Sequence, residues 1–225
     1  MNRAVLFDTE TTGLEPEFGH RVIEVAALEL LNDLPTGRHF HVLIDPERDV
    51  PEDATRIHGF TLADLAGRPR FAEIVDDLLE FFGDAKLIAH NAPFDFAFLD
   101  AEFQRVGKTA LSRNRMIDTL ELAKARFPSM PNSLDALCRR FAIDLGARTT
   151  HNALLDCRLL ADVYVELTGG RQGGLSLTTE RAAIELVVYT RSAERMPRPM
   201  VPSPEELAAH AAFLQRLRDP LWLRS

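Results

Sequence analysis

Residues 3–7 (RAVLF), 21–30 (RVIEVAALEL) and 38–44 (RHFHVLI) are rich in β-branched and aromatic side chains, and turn-forming stretches with Pro16, Gly19, Pro35 and Gly37 separate them. This pattern predicts three consecutive strands. Their connections are too short for helical crossovers, so an antiparallel meander is expected, with the stretch around Glu29 also open to a helical reading. After Ile44 the period changes: Phe71, Ile74, Val75, Leu78, Leu79 and Phe82 recur at helical spacing, and 86–89 forms a short apolar strand. A helix over about 93–106 follows, with Pro93 suited to its first turn. Residues 115–117 read as a brief fifth strand, and Asp118 and Glu121 have capping-box spacing for a helix through Ala125. Ser133 is placed to cap 134–141, and Asn152 to open a last helix through Leu167 that Gly169 and Gly170 stop.

From Gly169 onward the texture loosens into Gly173, Gly174 and the proline-dense MPRPMVPSP at 196–204, which favours extended chain. The expected organisation is a folded domain over 1–170, a flexible linker over 171–204 and a tail over 205–225. In the tail Leu207, Ala211, Leu214 and Leu217 share one face of a helix over 204–217, closed by Asp219 and Pro220. That helix is too short to enclose a core of its own.

The 225 residues are 46% hydrophobic and 27% charged, close to the globular average, which argues against a disordered or collagen-like chain. No apolar run approaches the roughly 20 residues of a spanning helix, and Asp8 interrupts the start before a signal peptide could develop, so a cytoplasmic protein without membrane contact is expected. Cys138 and Cys157 lack CxxC spacing and read as ordinary buried thiols. The net charge of -8, with its acid excess in the front part, counts against gripping nucleic acid by long-range attraction alone. It fits either a solvated acidic surface, the common case, or a set of metal-binding carboxylates whose phosphate grip comes largely from a partner.

Three sequence features carry chemistry. In FDTETTG, Asp8 and Glu10 are two residues apart on a strand, so both side chains face the same way and repel unless a cation or shared proton relieves them. Oxygen-only donors favour hard Mg²⁺ or Mn²⁺. In HNAPFD, Asp95 falls in the first turn of a helix just beyond a strand's carboxyl end, where sites on sheets with parallel strands collect. In HNALLD, His151 and Asp156 are five apart, roughly 140° around a continuous helix, so His151 is expected on the loop before the helix and Asp156 on the helix facing inward.

This ordered set resembles the 3′ to 5′ exonucleases of the DEDD class, histidine subclass, and especially their replicative proofreading members. NSLDALCRRFAID at 132–144, Gly169-Gly170, the EELAAH segment and the terminal Leu-Trp extend the likeness over nearly the whole chain. The resemblance implies an α/β, ribonuclease-H-like fold: a mixed five-stranded sheet flanked by helices, followed by a linker and a short partner-binding helix. It implies two divalent cations, Mg²⁺ or Mn²⁺, with Asp8, Glu10 and Asp156 holding one, Asp8 touching the second and Asp95 supporting the second through water. His151 is then the general base, and the product a nucleoside 5′-monophosphate cut from a single-stranded or mispaired DNA 3′ end. The resemblance also places His58, in RIHGF, and Asp53 or its neighbour Glu52 against the substrate. Leu14 and Phe96 are candidates to pack on terminal bases. Gln172, Leu175 and Leu177 resemble a short clamp-binding peptide, and 205–225, with Leu221, Trp222 and Leu223, a segment that docks on the polymerase alpha subunit. A small accessory subunit is a further expected partner. Two other readings stay open at this point: an RNA-trimming exonuclease of the same fold, and a non-catalytic adaptor between polymerase and clamp.

Overall fold

The computed structural model describes residues 2–146, 151–169 and 201–218. The chain divides into two compact units, Met1–Leu175 and Ser176–Ser225. In the first, the elements run β1 (Arg3–Thr11), β2 (Val22–Leu31), β3 (Leu34–Leu43), α1 (Glu52–His58), α2 (Leu62–Leu65), α3 (Phe71–Phe82), β4 (Lys86–Ala89), α4 (Ala92–Arg105), β5 (Met116–Asp118), α5 (Thr119–Arg126), α6 (Leu134–Arg140) and α7 (Ala153–Thr168). The strands form one sheet in the order β3-β2-β1-β4-β5. The expected meander is present, since β1 pairs antiparallel with β2 and β2 with β3, while β4 joins β1 and β5 joins β4 in parallel. Glu29 lies within β2 opposite Val5, so the strand reading holds for that stretch.

Strand alternation sorts the apolar residues into two cores, one on each face. Val5, Phe7, Val25, Ala27, Leu87 and Ala89 face α3 and α4, where Phe71, Phe82, Phe96 and Phe103 complete the packing. Ala4, Leu6, Ala26, Leu28 and Ile88 face the other way, against Leu137, Cys138, Cys157, Leu160 and Val163 of α6 and α7. Phe7 anchors the first core through ring contacts at 5.4 Å to Phe82 and 5.8 Å to Phe96. Each such fully buried ring contributes about 2–3 kcal/mol. Both cysteines are buried thiols outside any disulfide, as expected.

Buried polar groups fix the helices to the sheet. Glu102 of α4, 0% exposed, accepts from Arg21 Nε at 2.7 Å, Arg21 Nη2 at 3.0 Å and the Val22 amide at 3.2 Å. This locks the register of the helix that carries Asp95. Asp118 caps α5 by accepting from the Leu120 amide at 2.9 Å, and the same oxygen accepts from the Asn91 amide at 2.9 Å. The predicted capping box is not completed there, because Glu121 turns outward to Lys124 at 2.7 Å. Ser133 and Asn152 cap α6 and α7 as expected, accepting from Ala136 and Leu155 amides.

In the second unit the described part is α8 (Pro204–Leu214), which opens on a reciprocal Ser203–Glu206 capping box. It ends three residues before the predicted Leu217, and Leu207 and Phe213 are each 54% exposed. Gln172, Leu175, Leu177, Leu221, Trp222 and Leu223 lie outside the described residues.

Candidate active site

β1 runs further than its apolar core, through Thr11, because β2 keeps pairing with it. The alternation that places Ala4 and Leu6 on the α7 face therefore carries Asp8 and Glu10 onto that face too. Thr9 points the opposite way, where its amide and hydroxyl donate to Asp95 Oδ1 at 3.1 and 2.7 Å. Asp95 reaches this spot because α4 starts right after β4, the parallel neighbour of β1, through Asn91 in the left-handed region at φ 65°. From the far end of the chain, α7 presents Asp156 in its first turn, 4% exposed. His151 precedes the helix and folds back, with Nδ1 3.3 Å from Asp156 Oδ2. Its backbone amide donates to the carbonyl of Ile57 at 3.1 Å, tying the loop to the last turn of α1.

All three motifs thus meet at the carboxyl end of β1. Among the described residues, Glu10, His151 and Asp156 each offer a ligand atom, all within 4.8 Å of one another. Burial, reinforced by Asp95, Glu10, Asp156 and Glu24, holds the Asp8 carboxyl well above the ordinary range. Burial likewise pushes Asp95 up to about 7, although the Thr9 hydrogen bonds pull the other way. Two acids raised this far, in a cluster of mainly oxygen donors, suit a hard divalent cation that relieves the repulsion. Cys157 lies close by, but burial and then the same carboxylates raise its thiol well above the usual value, which keeps it an inert packing group.

Beside the acids a cleft of about 510 Å³ opens between the loop after β1 and helix α1. Leu14 and Asp53 line it; Glu52 does not, so Asp53 is the acid of the pair that faces the cleft. Leu14 is 76% exposed at the rim, open to a ligand. The loop is held by a close contact: a Cβ on Gly13 would fall 2.3 Å from the His20 ring, so a larger residue there would have to displace that ring. His58 is 3% exposed on the cleft wall, and its Nδ1 accepts from the Phe60 amide at 3.0 Å. That bond assigns the proton to Nε2, which has no partner among the described residues and is left as a donor. Burial lowers the His58 pKa, keeping the ring neutral.

Phe96 is not where its expected role needs it. It is 0% exposed in the α3/α4 core, in contact with Phe7, and cannot reach a base. In the first turns of α4, Phe94 rather than Phe96 lies on the cleft side, so Phe94 lines the wall instead. The sequence reading also passed over Glu24, which stands opposite Glu10 across β1 and β2 and is 0% exposed. Its signal was an acid, like Glu29 further along, inside the largely apolar run VIEVAALELL.

Fold and site together are those of a nuclease, and the comparisons agree. The family model described as Exonuclease matches residues 5–164, and the chain belongs to that family. It is 44% identical over 221 residues to the DNA polymerase III subunit epsilon of Rickettsia conorii, covering 96% of each chain. It is 40% identical over 228 residues to that subunit of Salmonella typhimurium, covering 95% of this chain and 93% of that one. Among solved structures, Exonuclease X in complex with 5′-overhanging duplex DNA shares the fold with a TM-score of 0.57 at 24% identity, over 75% of this chain and 91% of that one. Exonuclease I of E. coli, in a zinc-bound complex with single-stranded DNA, does so with a TM-score of 0.66 at 17% identity, over 76% and 41% of the two chains. Within the exonuclease family the chain stands with the DNA polymerase III epsilon subunits, the 3′–5′ proofreading exonucleases.

Proposed function

We propose that the cleft takes the 3′ end of a DNA strand and hydrolyses its last phosphodiester, releasing nucleoside 5′-monophosphates during replication. The observation that carries this reading is the convergence of Asp8, Glu10, Asp95, His151 and Asp156, drawn from three distant motifs, at one strand end beside the cleft. Asp8, Glu10 and Asp156 would hold one divalent cation, and Asp8 with Asp95 would serve a second, Mg²⁺ or Mn²⁺. Such cations supply Lewis-acid polarisation of the phosphodiester and charge relief for the departing 3′ oxygen.

The chain's own groups do the rest. His151 accepts the proton of the attacking water on a ring nitrogen, and its half-exposed side chain can pass that proton to solvent. Nε2–H of His58 donates to an acceptor atom of the terminal nucleotide, and neutrality keeps it a donor of one hydrogen bond rather than a second cation. Leu14 and Phe94 pack on bases from the mouth and wall of the cleft, contacts that tolerate any sequence, and Asp53 accepts from the nucleotide at the other wall. A frayed end costs less to unpair than a matched one, which favours mispaired termini.

The partner assignments follow the same reading. Residues 1–170 are the exonuclease domain, and 171–204 link it to a tail at 205–225 that docks on the polymerase III alpha subunit. The exposed Leu207 and Phe213 of α8 support such a docking face. Gln172, Leu175 and Leu177 contact the sliding clamp, a small accessory subunit joins the assembly, and the protein works in the cytoplasm. Among the described residues no helix is long and apolar enough to cross a membrane.

The decisive experiment measures nucleoside monophosphate release from a 3′-mispaired primer on a DNA template with Mg²⁺ or Mn²⁺, with a chelator control and an Asp8→Ala/Glu10→Ala variant. Metal-dependent release that the variant lacks is expected. A strong preference for single-stranded RNA, or no release with either metal, refutes the reading.

A further inference from the structure

Glu24 is a buried acid that the mechanism does not use. It is 0% exposed and stands directly across from Glu10, a cross-strand pairing of like charges that is unfavourable by itself. A carboxylate persists in such a place only when donors satisfy it. Three do. Oε1 accepts from His41 Nε2 at 2.7 Å and from Asn152 Nδ2 at 3.0 Å, and Oε2 accepts from the Ala153 amide at 3.1 Å. Two of these donors belong to the N-cap Asn152 and the first residue of α7, between His151 and Asp156. The third comes from β3, the far neighbour of β2, and braces the carboxylate from behind.

We propose that Glu24 is a positioning residue, clamping the start of α7 to the sheet so that His151 and Asp156 are held against Glu10. The clamp works at two levels. Accepting the Ala153 amide satisfies one of the open donors of the helix N-terminus and places a negative charge at its positive end. Binding Asn152 Nδ2 orients that side chain so that its oxygen caps the Leu155 amide at 3.0 Å. The helix start is thus tied to the same strand pair that carries Asp8 and Glu10. His151, one residue before Asn152, is then pinned on two sides, by this clamp and by the Ile57 carbonyl.

The substitution Glu24→Gln breaks the arrangement in a defined way. The new side chain can still accept the Ala153 amide through its carbonyl oxygen, but its NH₂ then faces Asn152 Nδ2, donor against donor. Asn152 can relieve that only by turning over and giving up its cap on Leu155. Adding Asn152→Asp removes the conflict, because one carboxylate oxygen accepts from the introduced NH₂ while the other still caps the helix. His41 accommodates both by switching its ring proton.

The inference rests on the exonuclease reading, so the test pairs turnover with a measurement that needs none. The full chain, labelled with ¹³C-histidine, is compared as the parent, Glu24→Gln, Glu24→Gln/Asn152→Asp and Glu29→Gln. Glu29 is a buried acid of the same strand that accepts from Arg3, Arg38 and Thr36, away from α7, and so controls for simple loss of stability. Expected are a shifted or broadened His151 ring signal and a kcat lowered tenfold or more in Glu24→Gln, with KM within threefold. The double variant should recover both, and Glu29→Gln should keep the parent's kcat within twofold. If Glu24→Gln does not fold, Asn152→Asp alone sets two carboxylates against each other at the same contact and should give the same loss. An unmoved His151 signal, a kcat within twofold of the parent, or no recovery in the double variant overturns the proposal. If the parent itself cleaves nothing, the functional reading fails, and the His151 signal still decides whether Glu24 positions the loop.

Discussion

Without divalent cations, the acid cluster should make the exonuclease unit less stable as pH rises toward neutrality. Asp95 shows why, since burial lifts its pKa from 3.8 to about 7 in the folded chain. A raised carboxylate means that the folded state holds a proton the unfolded state has already released. Its contribution is therefore greatest at low pH and is lost as pH climbs from the unfolded pKa to the folded one. Between about pH 5 and about pH 8 this one group removes about 3 kcal/mol, at about 1.4 kcal/mol per unit. For a unit of this size that is a fall of roughly 6–12 °C in Tm. The assay is calorimetric melting in chelator across that range, for the parent and for Asp95→Asn, whose amide oxygen can still accept from Thr9. The variant should lose at least half the slope, and the remainder should reflect Asp8, which is raised by burial and by its acidic neighbours. Millimolar Mg²⁺ should flatten the parent's curve mainly near pH 8. A flat parent curve in chelator, or an unchanged slope in Asp95→Asn, would refute the electrostatic account of the cluster.

Three further outcomes follow. His151→Ala should cut kcat by roughly 10²–10⁴-fold while leaving cation affinity by titration calorimetry largely intact; loss of affinity would make the histidine a ligand instead. Phe94→Ala should raise KM for single-stranded DNA and cost less stability in urea than Phe96→Ala, for which about 3–5 kcal/mol is expected, since Phe94 only packs against the edge of the core beside Phe98 while Phe96 is wholly inside it. Glu102→Ala should lower stability by about 3–5 kcal/mol in urea titrations, because it removes the buried carboxylate that accepts two guanidinium hydrogen bonds of Arg21 and leaves that charge only the Pro46 carbonyl and Glu47.

The centre of the sheet was legible because β1, β2 and β4 bury apolar side chains on both faces, and that pattern shows in residues 3–7, 21–30 and 86–89. Helix α3 was equally plain, its six apolar positions lying on one stripe. Helices α1 and α2 were not anticipated: α1 buries only Ala54 and His58, and α2 only Leu65, which leaves no period to read. At the site, D-x-E spacing on a strand made the shared face of Asp8 and Glu10 a matter of geometry. Phe94 and Phe96 could not be told apart in the same way, since both are aromatic and in the first turns of one helix. Which one faces the core depends on how α4 is rolled, and the Glu102–Arg21 contact at its other end sets that roll. Glu24 was overlooked because a strand acid is ordinarily solvated, and only α7, more than a hundred residues later, supplies two of its three donors.

The division of the core by the sheet bears on when this protein becomes competent during its own synthesis. The α3/α4 side draws on residues up to Met116, so one half of the hydrophobic interior can assemble while the rest of the chain is still being made. The other half waits for α7, whose last turn is Thr168. Both His151 and Asp156 arrive with that late half, whereas Asp8, Glu10 and Asp95 come earlier in the chain. A growing chain therefore carries an unfinished acid cluster through most of its translation, and the proposed site is complete only when the last helix closes over the exposed face of the sheet.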